Sequence, residues 1–307
     1  MLGGLIKNHC GAMGVDMAHD GLRVAQLETD AKGVRLVALE QEQRPVNVEP
    51  GTVAWQHWAI DALKEMARKG RFKGRCASAS LPGHEILIET IKASKTQDGK
   101  FEEGVLSRVK ARLPSCSASR QSLLIKRIPM EQDNVMVMAT DRELVHRYLA
   151  IFENGGLDIR FIGTWPEALH KTYLQLFGAQ ADPRAVVMLL DVQDDSTGVV
   201  ICRHADLLFA RSLPMGSQVV SDAAALDRLV LELAACRRDC MALYTGLSVS
   251  RVVFLAWGTV DLDLYQGLAR AIGLQTQVGD CQAAVIRAED QASGHGHWIT
   301  ALGLSLL

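Results

Sequence analysis

Long apolar runs are missing from this chain of 307 residues. A helix that crosses a bilayer needs roughly 20 consecutive apolar residues, and no stretch of the sequence approaches that length. The opening residues, 1–13, are too polar for a signal peptide. The seven cysteines are scattered, odd in number and without a CxxC pair, a distribution typical of free thiols in a reducing compartment. We therefore expect a cytoplasmic protein whose contact with a membrane is peripheral.

A surplus of basic residues is missing as well. The chain has 33 Lys and Arg against 35 Asp and Glu, a net charge of −2, whereas dedicated nucleic-acid binders are usually strongly basic. The sequence also lacks a GxSxG nucleophile motif and a GxxxxGK phosphate loop, which excludes the common hydrolase and P-loop classes. What remains is an ordinary globular composition, 48% hydrophobic and 22% charged, of a length that favours two domains or two lobes.

One pattern occurs twice in the chain. Residues 14–27 form a strand pattern that ends at Asp16, continues through a polar turn and returns as a second strand. Residues 185–203 repeat this order, with Asp191 at the end of a continuous apolar run. Each copy is followed by a third strand and a helix. Because the two aspartates are separated by more than half of the chain, far beyond the about 20–50 residues of solenoid repeats, the pattern indicates a duplicated two-lobe fold.

The order of these segments resembles the actin-like ATPase superfamily and, within it, the PilM family of type IV pilus assembly proteins, with the cell-division protein FtsA as a more distant relative. The stretches that carry the resemblance, from the opening strand pair to the final helix, are GVDMAHDGLRVAQLE (14–28), SASLPGHEILIETI (78–91), FEEGVLSRVKARLP (101–114), VMVMATDRELVHRYLAIFENGGL (135–157), VVMLLDVQDDSTGVVICRHADLLFARSLPMG (186–216), RVVFLAWGTVDLDLYQGLARAIGLQTQVGD (251–280) and ITALGLSLL (299–307). Together they extend over nearly the whole chain.

The resemblance implies an α/β fold of the two-lobe actin-like, or ribonuclease H-like, type. Lobe I would cover residues 1–182, with its core at 12–78 and 156–182 and an inserted α+β subdomain at 79–155. Lobe II would cover residues 183–307. Relatives insert a small subdomain after the residue that matches Gly216, and here only about ten residues remain before the next helix. We therefore expect lobe II to be truncated, with this small subdomain largely deleted.

The same resemblance predicts where a nucleotide would bind. In the superfamily two hairpin turns hold the phosphates through backbone N–H groups, and aspartates at the strand ends hold hydrated Mg²⁺. Asp16 and Asp191 would be the metal-side carboxylates, acting through water, and the cofactors would be ATP and Mg²⁺. The residues expected to contact the nucleotide, if binding is retained, are Asp16, His19, Arg23, Asp191, Ser196, Thr197 and Gly258. Arg23 stands where PilM proteins usually have a lysine.

Several departures from the family pattern weaken this nucleotide site. The first turn, residues 16–20, lacks the glycine and the small hydroxyl residues of the family. The second turn is followed by Asp194 and Asp195, whose charges oppose a phosphate. In the expected adenosine turn, Trp257 is bulky where a purine needs room. We therefore expect a pseudo-ATPase with no assigned catalytic residue.

PilM-like proteins lie on the cytoplasmic face of the inner membrane, bind the N-terminal cytoplasmic tail of the single-pass membrane protein PilN, and couple this platform to the assembly ATPase. The resemblance therefore implies a scaffold of a type IV pilus or a related pilus or secretion system, including an MshI-like branch. An extended tail would bind between the lobe I core and the insert, through main-chain hydrogen bonds and side-chain pockets. The alternatives are an active actin-like ATPase or kinase-like enzyme with Mg²⁺-ATP between its lobes, and a polymer-forming protein like FtsA.

Two features also have a purely structural interpretation. An aspartate at a strand end is common before a turn, so the roles of Asp16 and Asp191 stay open at this point. The basic run at residues 64–75 suits acidic lipid headgroups, but it equally suits the C-terminal end of a helix, where the helix dipole favours positive charge.

Overall fold

The computed structural model describes residues 9–18, 20–113, 119–218, 222–258, 261–287 and 296–307. His19, one of the predicted nucleotide-binding residues, lies outside the described residues. None of the helices within these ranges, including one of 21 residues, is both long and apolar enough to cross a membrane.

Lobe I is built on a five-stranded sheet with the order β3-β2-β1-β4-β8. Its strands are β1 (His9–Met17), β2 (Gly21–Asp30), β3 (Gly33–Gln43), β4 (Cys76–Ser80) and β8 (Asp158–Gly163). The first three strands are antiparallel, and β4 and β8 are added in parallel. Helices α1 (Val53–Lys69) and α3 (Arg142–Asn154) cover the outer face of the sheet. Their first turns are capped by the Thr52 and Asp141 side chains.

Lobe II repeats this architecture. Its sheet has the order β11-β10-β9-β12-β13, and its strands are β9 (Val186–Val192), β10 (Thr197–Arg203), β11 (Asp206–Leu213), β12 (Val249–Ala256) and β13 (Gln275–Asp280). Asp16 pairs with Arg23 across β1 and β2, and Asp191 pairs with Gly198 across β9 and β10. Each aspartate is the penultimate residue of the first strand of its sheet, so the predicted duplication is confirmed by the topology.

The remaining helices complete a layered structure. Helices α5 (Ala223–Leu243) and α6 (Leu262–Ala271) cover the outer face of the lobe II sheet, and the short α7 (Cys281–Ala284) follows β13. Helices α4 (Trp165–Phe177) and α8 (Ile299–Ser305) lie between the two sheets, in a core that both lobes share. Only a short connection joins the end of β11 to the start of α5, in agreement with the expected truncation of lobe II.

Close backbone packing holds α8 in this central layer. A Cβ atom on Gly303 would lie 2.0 Å from the Ala168 carbonyl oxygen of α4, and one on Gly14 of β1 would lie 1.9 Å from the Ala301 carbonyl oxygen of α8. The Ser305 hydroxyl donates to the Ala12 carbonyl oxygen at 2.7 Å and accepts from the Leu27 backbone N–H at 2.9 Å. The final apolar helix, α8, is therefore buried and contacts both β1 and α4.

The insert is a three-stranded sheet of β5 (Leu87–Lys92), β7 (Asn134–Asp141) and β6 (Leu123–Met130), in that order, with α2 (Phe101–Arg112) on one face. Its other face, through Met136 and Met138, joins the core shared with lobe II. The Lys92 ammonium donates to the Leu243 carbonyl oxygen at 2.8 Å, and the Gln132 side chain bonds the backbone of Thr245. The insert therefore connects the two lobes. Its exact boundaries, 79–155, stay a proposal.

The basic run at residues 64–75 lies on the surface, and several of its charges are paired. Glu65 accepts from Arg68 at 2.7 Å and from Lys69 at 2.8 Å, while Lys73 lies 3.1 Å from Glu28. The six basic side chains are all exposed. This arrangement favours the structural interpretation, a solvated helix end with local ion pairs.

Candidate functional site

A cleft of about 530 Å³ lies between the two lobes. Both duplicated turns contribute to it: Asp16 and Asp20 from the first, and Asp191, Gln193 and Ser196 from the second. Its walls are formed by the segment that follows β4, by Trp165 at the start of α4 and by the end of β11. The structure thus brings together the two aspartates that the sequence pattern singled out.

Asp16 and Asp191 are buried at the base of this cleft, with only 6% and 5% of their surfaces exposed. Burial raises the pKa of Asp16 to about 7, and the negative charge of Asp191 acts in the same direction while Arg23 opposes it. Burial also raises the pKa of Asp191. The Asp191 carboxylate accepts a hydrogen bond from Gln193 Nε2 at 2.9 Å.

Arg23, on β2, lowers the pKa of both aspartates by its positive charge, but its guanidinium is already engaged with another carboxylate. It donates to both carboxylate oxygens of Asp20, with an Nη1–Oδ1 distance of 3.1 Å for one of the two bonds. Arg23 is 6% exposed and does not line the cleft. Among the described residues, three carboxylates at this end of the cleft, those of Asp16, Asp20 and Asp191, are opposed by Arg23 and by His297. This balance is unfavourable for a phosphate.

The second turn is held tightly by the segment that follows β11. The Gln193 backbone N–H donates to the Ser196 carbonyl oxygen at 2.9 Å, which closes the turn. The backbone N–H of Ser217 donates to the Gln193 carbonyl oxygen at 2.8 Å. The Thr197 hydroxyl donates to the Met215 carbonyl oxygen at 2.7 Å. Of the two predicted hydroxyl residues, Ser196 therefore lines the cleft, whereas Thr197 is used to hold the turn.

Gly258 is not part of this cleft. Its backbone N–H lies 3.4 Å from Asp280 Oδ1, and its φ of +82° is in the left-handed region that favours glycine. Trp257 is 4% exposed and belongs to the core between the two sheets. Trp257 therefore has a packing role, and the expectation that it obstructs a purine stays a prediction.

Two residues of the site were not found from the sequence. Trp165 follows Thr164, whose backbone N–H donates to Glu167 at 3.2 Å in a capping box, and its indole packs on both lobes. A Cβ on Gly198 would lie 3.1 Å from this indole, and one on Gly83 would lie 3.4 Å from it. The second residue that was not found from the sequence is His297. Its Nε2 lies 3.3 Å from Asp194 Oδ1. The Thr-x-x-Glu pattern predicts the helix start but not the direction of the indole.

Mg²⁺-ATP is the ligand that the resemblance to actin-like ATPases implies for this cleft. Asp16 and Asp191 offer the oxygen ligands that hydrated Mg²⁺ takes, although the described residues contain no group of three His, Cys, Asp or Glu side chains able to hold a metal ion. The net negative base, the absence of glycine at the first turn and the indole packed on Gly198 all oppose a polyanionic triphosphate. The residues present therefore do not fit this cofactor well.

A second cavity, of about 580 Å³, lies where lobe I, the insert and lobe II meet. We call it the α4 groove, and it is lined by Ile128, Pro129, Met130, Glu131, Glu167, His170, Lys171, Leu174, Ala205, Asp206, Leu207 and Leu307. Its floor is the outer face of α4, and one wall is β6, an edge strand of the insert sheet. Glu167 pairs with Lys126 at 3.3 Å, and Glu131 pairs with Arg203. The groove is therefore mainly apolar, with a rim of paired charges.

No protein-family model matches this chain, and a search of the curated proteins found no match. Among solved structures, the chain is similar to a chain of a "PilM-PilN type IV pilus biogenesis complex", with a TM-score of 0.74, 20% identity and coverage of 96% of this chain and 98% of that one. It is also similar to the ethanolamine utilization protein EutJ from Carboxydothermus hydrogenoformans (TM-score 0.51, 14% identity, 96% and 89% coverage). A Bacteroides thetaiotaomicron protein of unknown function with an actin-like ATPase fold matches with a TM-score of 0.50, 11% identity and 90% and 92% coverage. The predicted actin-like fold is confirmed.

Proposed function

We propose that this chain is a PilM-like scaffold of a type IV pilus, or of a related pilus or secretion system. It lies on the cytoplasmic side of the inner membrane and binds the N-terminal tail of a PilN-like membrane protein. The observation that carries the proposal is the similarity to the chain of the PilM–PilN complex, which extends over both lobes and the insert. The ethanolamine utilization protein and the Bacteroides thetaiotaomicron protein match this chain with TM-scores of 0.51 and 0.50.

The scaffold acts without ATP turnover, and coupling to the assembly ATPase of the machine goes through protein contacts. Support comes from the interlobe cleft, where burial raises the pKa of both Asp16 and Asp191 and where Trp165 packs on Gly198. The lobes are also joined by the core around α4 and α8 and by the contacts of the insert. A nucleotide is therefore not needed to hold them together.

The α4 groove is the proposed docking site for the tail. It lies between the lobe I core and the insert, and its apolar lining suits an extended segment with alternating apolar side chains. β6 is at the edge of its sheet, so its outward backbone groups can pair with an added strand, except at Pro129, which has no N–H. Since the rim acids Glu131 and Glu167 are paired with cations, the groove favours an apolar tail over a highly charged one.

We expect a synthetic peptide of the cytoplasmic tail of the PilN-like protein from the same genome to bind with micromolar affinity in calorimetry. Leu174→Glu places a charge on the groove floor, and we expect it to weaken binding by roughly tenfold or more because the new carboxylate must be desolvated by the peptide. Leu231→Glu is the matched control, since Leu231 is 64% exposed on α5. Equal binding by both variants would exclude the α4 groove as the docking site of the tail. If the unchanged protein did not bind the peptide, the proposed scaffold function would be contradicted.

Mg²⁺-ATP should give no binding heat in the same experiment. Tight ATP binding that Asp191→Ala abolishes would contradict this expectation. The better supported hypothesis would then be an active actin-like ATPase or kinase-like enzyme that binds the nucleotide between its lobes.

A further inference from the structure

His170 is a buried polar residue in the floor of the α4 groove. It lies on α4 between Glu167 and Leu174, at the helical spacing that places these residues on one face, and all three line the groove. Only 7% of the surface of His170 is exposed. A ligand that fills the groove therefore contacts this imidazole.

One ring nitrogen of His170 is already used by lobe II. Its Nε2 lies 2.7 Å from the His204 carbonyl oxygen, and because a carbonyl only accepts, Nε2 carries a proton in both charge states of the ring. His204 has a φ of +46°, and its turn leads into Asp206 and Leu207, which line the groove. The bond therefore holds the lobe II wall of the groove, and Nδ1 is the acceptor of the neutral ring.

Burial favours the neutral form of this ring. It lowers the pKa of His170 from the ordinary value of 6.5. The charges of His204 and Lys171 act in the same direction, whereas the His204 carbonyl and the Asp206 carboxylate oppose it. At neutral pH the Nδ1 atom is therefore unprotonated and able to accept a hydrogen bond.

An extended tail in the groove has backbone groups along two edges. If one edge pairs with β6, the N–H groups of alternate residues point away from β6. A backbone N–H that is buried without an acceptor costs about as much as a lost hydrogen bond. The side chains of Leu174, Leu207 and Leu307, which also line the groove, offer no acceptor, whereas His170 does.

We infer that His170 Nδ1 accepts a hydrogen bond from one backbone N–H of the bound tail and thereby sets the register of the tail in the groove. The inference rests on the proposed docking of the tail in the α4 groove. It adds a chemical requirement: the tail residue opposite His170 has a free N–H and is not proline. It also makes docking sensitive to acid, because a protonated Nδ1 donates and no longer accepts.

Two variants separate the two ring nitrogens in calorimetry with the synthetic tail peptide. His170→Asn keeps an acceptor near the Nδ1 position and loses the reach to His204, whereas His170→Gln keeps a donor near the Nε2 position and loses the acceptor at Nδ1. We expect His170→Gln to weaken binding roughly 3- to 10-fold, the range for one net hydrogen bond. His170→Asn should bind the peptide more tightly than His170→Gln does.

Peptides that are N-methylated at one backbone nitrogen each locate the partner of His170. Methylation of an N–H group paired with β6 should weaken binding to all three proteins. One further position should weaken binding to the unchanged protein and to His170→Asn, but should cost nothing more in His170→Gln, where the acceptor is already missing.

The pH dependence of binding is a second readout. Affinity for the unchanged protein should fall between about pH 7 and about pH 5, as the proton that blocks Nδ1 is taken up. His170→Asn has no titrating group at this position. It therefore controls for the peptide and for the other titrating groups around the ring, which are Glu131, Glu167, His204 and Asp206.

The outcomes distinguish this inference from the proposed function. No binding by the unchanged protein would contradict the tail docking, and the inference with it. Tail binding that is equal in all three proteins, equally weakened in both variants, or weaker in His170→Asn than in His170→Gln would overturn the inference alone. The ring would then only pack in the groove or hold the lobe II turn.

Discussion

Gly303→Ala is expected to destabilise the protein by about 3 kcal/mol, in the upper range for overpacked cores. The new Cβ would lie 2.0 Å from the Ala168 carbonyl oxygen and 2.7 Å from the Ala168 Cα atom. Both are backbone atoms, so no rotamer change can relieve the contact, and α4 and α8 must move apart. Because these two helices form the central layer between the sheets, the shift would loosen the core of both lobes.

Urea unfolding measures this effect as a lower midpoint with an unchanged slope. Gly267→Ala is the matched control, because Gly267 lies inside α6 and a Cβ there would have nothing within 4 Å. Alanine is the better helix former by about 1 kcal/mol, so this variant should be neutral or slightly more stable. Equal stability of Gly303→Ala and Gly267→Ala would contradict the close packing of α8 on α4.

Asp16→Asn is expected to stabilise the protein near pH 8, by up to about 4 kcal/mol. Burial raises the pKa of Asp16 to about 7 from the ordinary value of 3.8. Between these two values the folded protein keeps a proton that the unfolded chain releases, so the free energy of unfolding falls as the pH rises. Above the folded pKa the whole cost of the buried charge is present. Asparagine cannot ionise, and the variant avoids this cost.

Thermal or urea unfolding from about pH 4 to about pH 8 tests whether the free energy of unfolding falls with rising pH, as expected for Asp16. The difference in the free energy of unfolding between Asp16→Asn and the unchanged protein should be small near pH 4 and should grow until about pH 7. Asp61→Asn should show no such trend, because Asp61 is exposed on α1. A destabilised Asp16→Asn variant near pH 8 would mean that the attraction of Arg23 outweighs the burial of the carboxylate.

Much of the fold could be predicted because its signals are local. Apolar spacing and the turn residues that follow it predict helices at residues 101–112 and 262–271. These ranges coincide with α2 and α6. The repeated strand, aspartate and turn predicted two related lobes, and the two sheets have the same strand order. The alternating residues 85–91 predict a strand that starts at residue 85, whereas β5 starts at Leu87, after a short 3-10 turn at Gly83–Glu85.

The candidate site was predicted only in part. Asp16, Asp191 and Ser196 were expected to lie together, and all three line the interlobe cleft. Gly258 and the Thr197 hydroxyl were expected there too, but the first lies beside Asp280 and the second holds Met215. The strand order explains where Gly258 and Thr197 lie in the fold. Which group each of them hydrogen-bonds depends on residues that are distant in the chain.

The sequence by itself determined the class of the protein: a duplicated α/β chain with an acid at the end of the first strand of each half. Periodicity, turn residues and charge are properties of neighbouring residues, so they can be read without a structure. Only the tertiary structure decided that Trp165 packs on Gly198, that His297 lies beside Asp194 and that β6 and α4 form a groove. These contacts join segments far apart in the chain, and they depend on how two sheets and the helices between them pack.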